Sequence, residues 1–148
     1  MKKPIPPVAL ITGASGGLGA FLACELARDG YAVGLHHRGG KGQAERLARL
    51  IRKEDGVAEL FHGDLAVPGQ VDSVFRNVRA RFGRLDVLIN NAGTYRPVPL
   101  LRAGAEDWRT GLESTATATF LAIRAALPLF SKTGGRIINL GDSACEKL

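Results

Sequence analysis

The chain has 148 residues, 45% of them hydrophobic and 23% charged, which suits one ordinary α/β domain with a buried core. Its net charge of +6 comes from 14 arginines and 6 lysines spread along helical stretches, among them Arg46, Arg49, Arg52 and Lys53, then Arg76, Arg79, Arg81 and Arg84; charge so scattered reads as solvated helix faces, and no nucleic-acid partner is expected. Two cysteines, Cys24 and Cys145, give neither a disulfide framework nor a metal-ligand spacing, and the apolar stretch Val8–Ile11 is too short for a signal core or a membrane span, so no metal site, no membrane partner and a cytoplasmic location are expected.

Short apolar runs alternate with amphipathic stretches. Val8-Ala9-Leu10-Ile11 reads as a strand and is followed from Gly17 by a helix with Leu18, Phe21, Leu22 and Leu26 at helical spacing. Ala32 to His36 is the second strand, and Lys41 to Glu54 a helix with Ala44, Leu47, Ala48 and Ile51 on one face. Val57 to Phe61 and then Pro68 to Phe82, with Val71, Val74, Phe75, Val78 and Phe82 facing inward, repeat the unit. Val87-Leu88-Ile89 is a fourth strand; a Pro- and Gly-containing loop from Gly93 to Gly104 leads to a long helical region around Trp108 to Phe130, bent or ended by Pro128. Ile137-Ile138-Asn139-Leu140 closes the series as a fifth strand. Trp108 is expected to pack at the start of the long helix. Alternation on this scale predicts a Rossmann-type α/β fold with a doubly wound parallel sheet and ligands at the carboxyl ends of its strands.

The first strand runs into Thr12-Gly13-Ala14-Ser15-Gly16-Gly17-Leu18-Gly19. Side chains are nearly absent here, so a diphosphate could approach the backbone and meet the amide N–H groups and positive dipole end of the following helix. The spacing Thr-Gly-x-x-x-Gly-x-Gly, read from Thr12, Gly13, Gly17 and Gly19, together with Asn90-Asn91-Ala92-Gly93 after the fourth strand, resembles the short-chain dehydrogenase/reductase family over the whole chain. The resemblance implies a nicotinamide dinucleotide held by Thr12, Gly13, Ser15, Gly17, Leu18, Gly19, Asn91, Ala92 and Gly93, with Asp64 and Leu65 along the adenine. Asp64 also reads as a turn or helix-capping residue.

Cofactor preference is read at the end of the second strand, where an acid would accept hydrogen bonds from ribose hydroxyls. No acid lies between Asp29 and Glu45, and the strand ends instead in His36-His37-Arg38. A guanidinium there suits a 2′-phosphate, so NADP(H) is the expected cofactor, with Arg38 as its partner and His37 assisting.

In the resembled family a Tyr-x-x-x-Lys motif transfers the proton that accompanies hydride transfer to a carbonyl or imine. The two tyrosines here, Tyr31 and Tyr95, are not followed by Lys at that spacing, so residues 1–148 are expected to be a single NADP(H)-binding domain incomplete at its C-terminus and inactive by itself. The family's sheet order then puts the fifth strand beside a missing neighbour, leaving Ile137, Ile138 and Leu140 on an exposed edge. The slot of the family's catalytic Ser falls on Asp142, or on Ser143 after a shift of one residue, and the slot of a water-holding Asn falls on Thr115. An Asp at that slot, the His-Arg strand end and the loop holding Tyr95 resemble the pteridine reductase branch, with Tyr95 stacking on a pterin. The alternatives are a 3-oxoacyl reductase-like enzyme and a non-catalytic NADP(H)-binding module. The resemblance also implies a parent that is a homo-oligomer, a dimer or tetramer.

Overall fold

A computed structural model describes residues 6–94 and 97–141. Five parallel strands, β1 (Val8–Ile11), β2 (Ala32–His37), β3 (Val57–His62), β4 (Val87–Asn90) and β5 (Arg136–Asn139), lie in the order β3-β2-β1-β4-β5. The register pairs Ile11 with Leu35 on one side and with Ile89 on the other, and Ile89 in turn with Ile138. Each pleat sends successive side chains to opposite faces. Ala9 and Ile11, with Val33, Leu35, Val87 and Ile89, therefore pack against helices α1 (Gly17–Arg28) and α2 (Lys41–Lys53), whereas Val8, Leu10 and Leu88 pack against α3 (Pro68–Phe82) and α5 (Ala118–Ala126). Burial on both faces is why β1 and β4 are continuous apolar runs rather than alternating ones.

The buried residues of α2 are Ala44, Leu47, Ala48 and Ile51, and those of α3 are Val71, Val74, Phe75, Val78 and Phe82, as their periodicity predicts. Pro68 sits in the first turn of α3, where its missing N–H is not needed, and Gly83 ends the helix at φ +75°. Helix α1 departs from expectation. It forms, but its fully buried residues are Gly19 and Ala23, and Leu18 and Phe21 stand exposed, Phe21 at 60%. The small residues face inward because α1 starts against the glycine turn, where a larger side chain has no room.

The long helical region begins three residues before Trp108, as α4 (Ala105–Leu112), passes through a π turn over Glu113–Thr117 into α5, and closes in a 3-10 turn over Leu127–Leu129 that contains Pro128. Trp108 does not pack as expected; it is 70% exposed on α4. Because β1 pairs with β2 on one side and β4 on the other, the connections after β1 and β4 leave in opposite directions, and a crevice opens above their carboxyl ends. On the far side, β5 forms the sheet edge with Ile138 43% and Leu140 40% exposed.

Candidate functional site

The crevice is walled by the turn after β1 and the segment after β4, and Thr12 joins them. Its hydroxyl oxygen, almost fully buried, accepts the N–H groups of Asn91 and Ala92, both at 2.9 Å. The Asn91 amide returns the connection by donating to the carbonyls of Thr12 and Gly13 at 2.9 and 3.1 Å. Gly13 has φ +66°, and a Cβ there would stand 2.9 Å from the Ala92 backbone; one on Gly19 would stand 2.5 Å from the Asn91 amide nitrogen and 2.6 Å from the Gly13 carbonyl oxygen. These two glycines are therefore required by close packing. No side chain caps the N-terminus of α1, and its first turn carries no acid, so the amides beginning at Gly17 face the crevice unpaired and at the positive end of the helix dipole.

At the carboxyl end of β2 the chain crosses above the same crevice. Arg38 is exposed and sits 3.5 Å from the Asp64 carboxylate. The other Asp64 oxygen accepts the Ala66 N–H at 2.9 Å, so Asp64 is a turn residue that also borders the crevice. A Cβ on Gly40, whose φ is +63°, would lie 3.0 Å from Ser15, which places the β2–α2 loop directly on the glycine turn. Helix α2 likewise starts without a side-chain cap or an acid in its first turn. Arg38, Ser15 and this second helix end thus surround one position.

The cleft so formed has a volume of about 430 Å³ and is bounded by Gly13, Ser15, Arg38, Asp64, Leu65 and the Asn91–Thr94 segment, with Ser114 and Ala118 closing it from the π turn and α5. Of the expected residues, Thr12 and Gly19 shape the cleft from behind, and Leu18 lies exposed on the first turn of α1. His37 is buried, with Nδ1 3.0 Å from the Gly39 carbonyl, and faces an adjoining cavity shared with Lys41 and His62. The ring that borders the cleft is His36, which spacing did not single out. Its Nδ1 accepts the Gly13 N–H at 3.3 Å and its Nε2 lies 3.0 Å from the Gly63 carbonyl; burial holds its pKa down at about 4. Burial also lowers the pKa of His37.

Ser114 was likewise not singled out; the signal was its position four residues before Ala118, on one helical face of small side chains. Thr115 faces the neighbouring cavity with Thr94 and Trp108, and its hydroxyl donates to the Gly111 carbonyl at 2.6 Å. Asn90 and Asn139, paired in register, are joined by a 2.8 Å hydrogen bond between their side chains at the ends of β4 and β5. Tyr95, Asp142 and Ser143 lie outside the described residues. Among the described residues there is no group of His, Cys, Asp or Glu able to hold a metal ion, and no helix long and apolar enough to cross a membrane.

A sequence profile of the short chain dehydrogenases matches residues 7–147. The chain belongs to the short-chain dehydrogenase family. Among curated relatives, a 3-oxoacyl-[acyl-carrier-protein] reductase of Staphylococcus aureus is 34% identical over 135 residues, covering 90% of this chain and 55% of the relative. The corresponding reductase of a Synechocystis species is 36% identical over 138 residues, covering 93% and 56%. The chain therefore spans about half the length of the curated short-chain dehydrogenases it matches. Among solved structures, a short-chain dehydrogenase from Burkholderia cenocepacia in complex with NADP superposes with a TM-score of 0.89 at 30% identity, covering 96% of this chain and 58% of the other. A doubly substituted short-chain dehydrogenase/reductase from Serratia marcescens gives 0.90 at 27% identity, covering 99% and 60%. Both have the Rossmann-type fold described above.

Proposed function

We propose that this chain is the NADP(H)-binding domain, spanning residues 1–148, of a short-chain reductase that acts on the carbonyl of a 3-oxoacyl substrate. The observation that carries the cofactor reading is the cleft in which the glycine turn, the uncapped start of α1 at Gly16 and Arg38 meet, with no carboxylate at the end of β2. The residues fit the group. The α1 amides suit a diphosphate, while Arg38 and Ser15 suit a 2′-phosphate, because a guanidinium makes charge-assisted hydrogen bonds to phosphate oxygens. Leu65 and Asp64 border the adenine end, and Asn91, Ala92 and Gly93 border the path toward the nicotinamide. His37 acts from behind Arg38 rather than on the nucleotide.

Bound there, NADPH would supply the hydride for carbonyl reduction. Thr115, its hydroxyl proton given to Gly111, keeps an oxygen lone pair free to hold a water near Gly93. Asp142 or Ser143 takes the substrate-orienting slot after β5. The curated relatives named above act on 3-oxoacyl groups carried by an acyl carrier protein, which supports the 3-oxoacyl reading over the pteridine reductase-like one. The residues on which the pterin reading rests, Tyr95 and Asp142, lie outside the described residues. The proposed enzyme is a cytoplasmic homo-oligomer.

The test is an assay of the intact gene product with NADPH or NADH and either a 3-oxoacyl thioester or a pterin. Turnover of the thioester with a preference for NADPH of about tenfold or more is expected. Turnover of the pterin alone would overturn the substrate reading, and NADPH binding without turnover of any carbonyl would favour a non-catalytic module.

A further inference from the structure

Parallel pairing of β1 with β2 stops at Ile11–Leu35, whereas β2 and β3 stay paired through His37–His62. Beyond the Ile11–Leu35 pair, β1 and β2 are joined instead through one residue. The Ala14 N–H donates to the His36 carbonyl at 2.8 Å, and the Gly13 N–H donates to Nδ1 of the His36 ring at 3.3 Å. On the other side, the ring reaches the Gly63 carbonyl through Nε2 at 3.0 Å, while the Gly63 N–H donates to the His37 carbonyl at 3.2 Å. The Gly63 peptide is thus held at both ends by consecutive histidines, immediately before Asp64 and Leu65. His36 is 2% exposed and is one of the residues that border the cleft.

The chemistry fixes the ring's state. A backbone N–H can only donate, so Nδ1 must be bare; Nε2 then carries the proton and donates to the Gly63 carbonyl. One neutral tautomer satisfies both contacts. The imidazolium or the opposite tautomer places an N–H against the Gly13 N–H. No other side chain reaches both the phosphate-facing turn and the adenine-facing segment among the described hydrogen bonds.

We propose that His36 is a positioning residue of the cofactor site, which holds the Gly13–Ala14 turn and the Gly63–Asp64 segment at the separation a dinucleotide requires. This rests on the cofactor reading above. His36 does not touch the reacting atoms; it acts through the backbone of the two loops that do the binding.

Three variants of the intact protein separate its contacts. His36→Asn keeps an acceptor near Nδ1, His36→Gln puts an amide donor near Nε2, and His36→Leu keeps neither. With folding checked by circular dichroism, NADPH affinity followed by fluorescence should fall about tenfold or more in His36→Leu and by clearly less in His36→Asn and His36→Gln, one such bond corresponding to roughly that factor. Equal affinity in wild type and His36→Leu, or equal losses in all three, overturns the proposal. Nitrogen NMR of the wild type is a readout that does not depend on variant folding. A bare Nδ1 and a protonated Nε2, persisting well below the ordinary histidine value of 6.5, are expected; the opposite tautomer overturns the proposal. A wild type that binds no pyridine nucleotide removes the cofactor reading and this proposal with it, whereas NADPH binding that is indifferent to His36 removes this proposal alone.

Discussion

Arg38 faces Asp64 at 3.5 Å with 57% of its side chain exposed, a pair that holds its geometry weakly in water and can yield to a better anion. On the proposed cofactor reading a 2′-phosphate would be that anion, with more charge and more acceptor oxygens than one carboxylate. Arg38→Ala should therefore weaken NADPH binding about tenfold or more and leave NADH binding nearly unchanged, since charge-assisted bonds of this kind contribute roughly 1.5 to 3 kcal/mol. Parallel titrations of the two nucleotides decide it, and equal losses count against the assignment. His36 makes a separate prediction about stability. Its folded pKa of about 4 lies below the ordinary 6.5 chiefly because burial disfavours the charge; His37 and His62 act in the same direction, while Asp64 and the Gly63 carbonyl oppose them. Between those two values the unfolded chain takes up a proton that the folded chain refuses. The stability due to neutral His36 is therefore fully present above pH 6.5 and is lost as the pH falls toward 4. The loss should approach about 3 kcal/mol in wild type and be absent from His36→Asn, as urea midpoints over that range would reveal. Identical profiles for the two proteins would assign the acid sensitivity to carboxylates elsewhere.

Where two elements meet, Thr12 carries the joint between β1 and β4. Replacing it by Val keeps the shape and removes the acceptor, so the N–H groups of Asn91 and Ala92 lose their partner in a partly buried place. Thr12→Val should cost roughly 1 to 3 kcal/mol of stability and loosen NADPH binding, whereas Thr12→Ser should restore most of both; thermal unfolding with and without nucleotide measures it. A Val variant as stable as wild type would mean that water replaces the hydroxyl. Elements were legible in the sequence where burial follows a period, as in α2 and α3, whose inward residues the spacing picked out one by one. They were less legible where close approach outweighs hydrophobicity. Helix α1 buries Gly19 and Ala23 and leaves Leu18 and Phe21 in solvent, because its first turn must lie against the Gly13 carbonyl and Asn91. The glycine turn, the Asn91–Gly93 segment and Arg38 could be read because their chemistry depends on residue type at a fixed place after a strand. His36 could not, because a ring bonded to two backbone groups leaves no periodic trace, and two adjacent histidines look alike in one dimension. The π turn over Glu113–Thr117 is hidden for a similar reason, since no glycine or proline within it announces it.

For the molecule as a whole, the two sides of the sheet are unequally finished. At β3 the edge is guarded by charge, with Glu59 meeting both Arg52 and Arg81, a device that discourages strand addition. At β5 the edge carries Ile138 and, just past the strand, Leu140, both partly in solvent, and elsewhere Leu112, Phe120 and Leu127 stand exposed along α4, α5 and the turn that follows. Exposed apolar side chains at a sheet edge favour association, and a net charge of +6 spread over the helices opposes it only weakly at physiological salt. The 148-residue polypeptide by itself should therefore form oligomers or precipitate, as light scattering would show. Ile138→Lys combined with Leu140→Lys should raise the monomer fraction without disturbing NADPH binding, because no residue of β5 lines the described cleft and both substitutions leave the Asn90–Asn139 contact in place. If instead wild type is a stable monomer over a range of concentrations, the exposed edge is not sticky and the unequal finish of the sheet has no consequence in solution. If the double variant stays oligomeric, association runs through the α4–α5 face, and Phe120→Lys becomes the substitution that should release it.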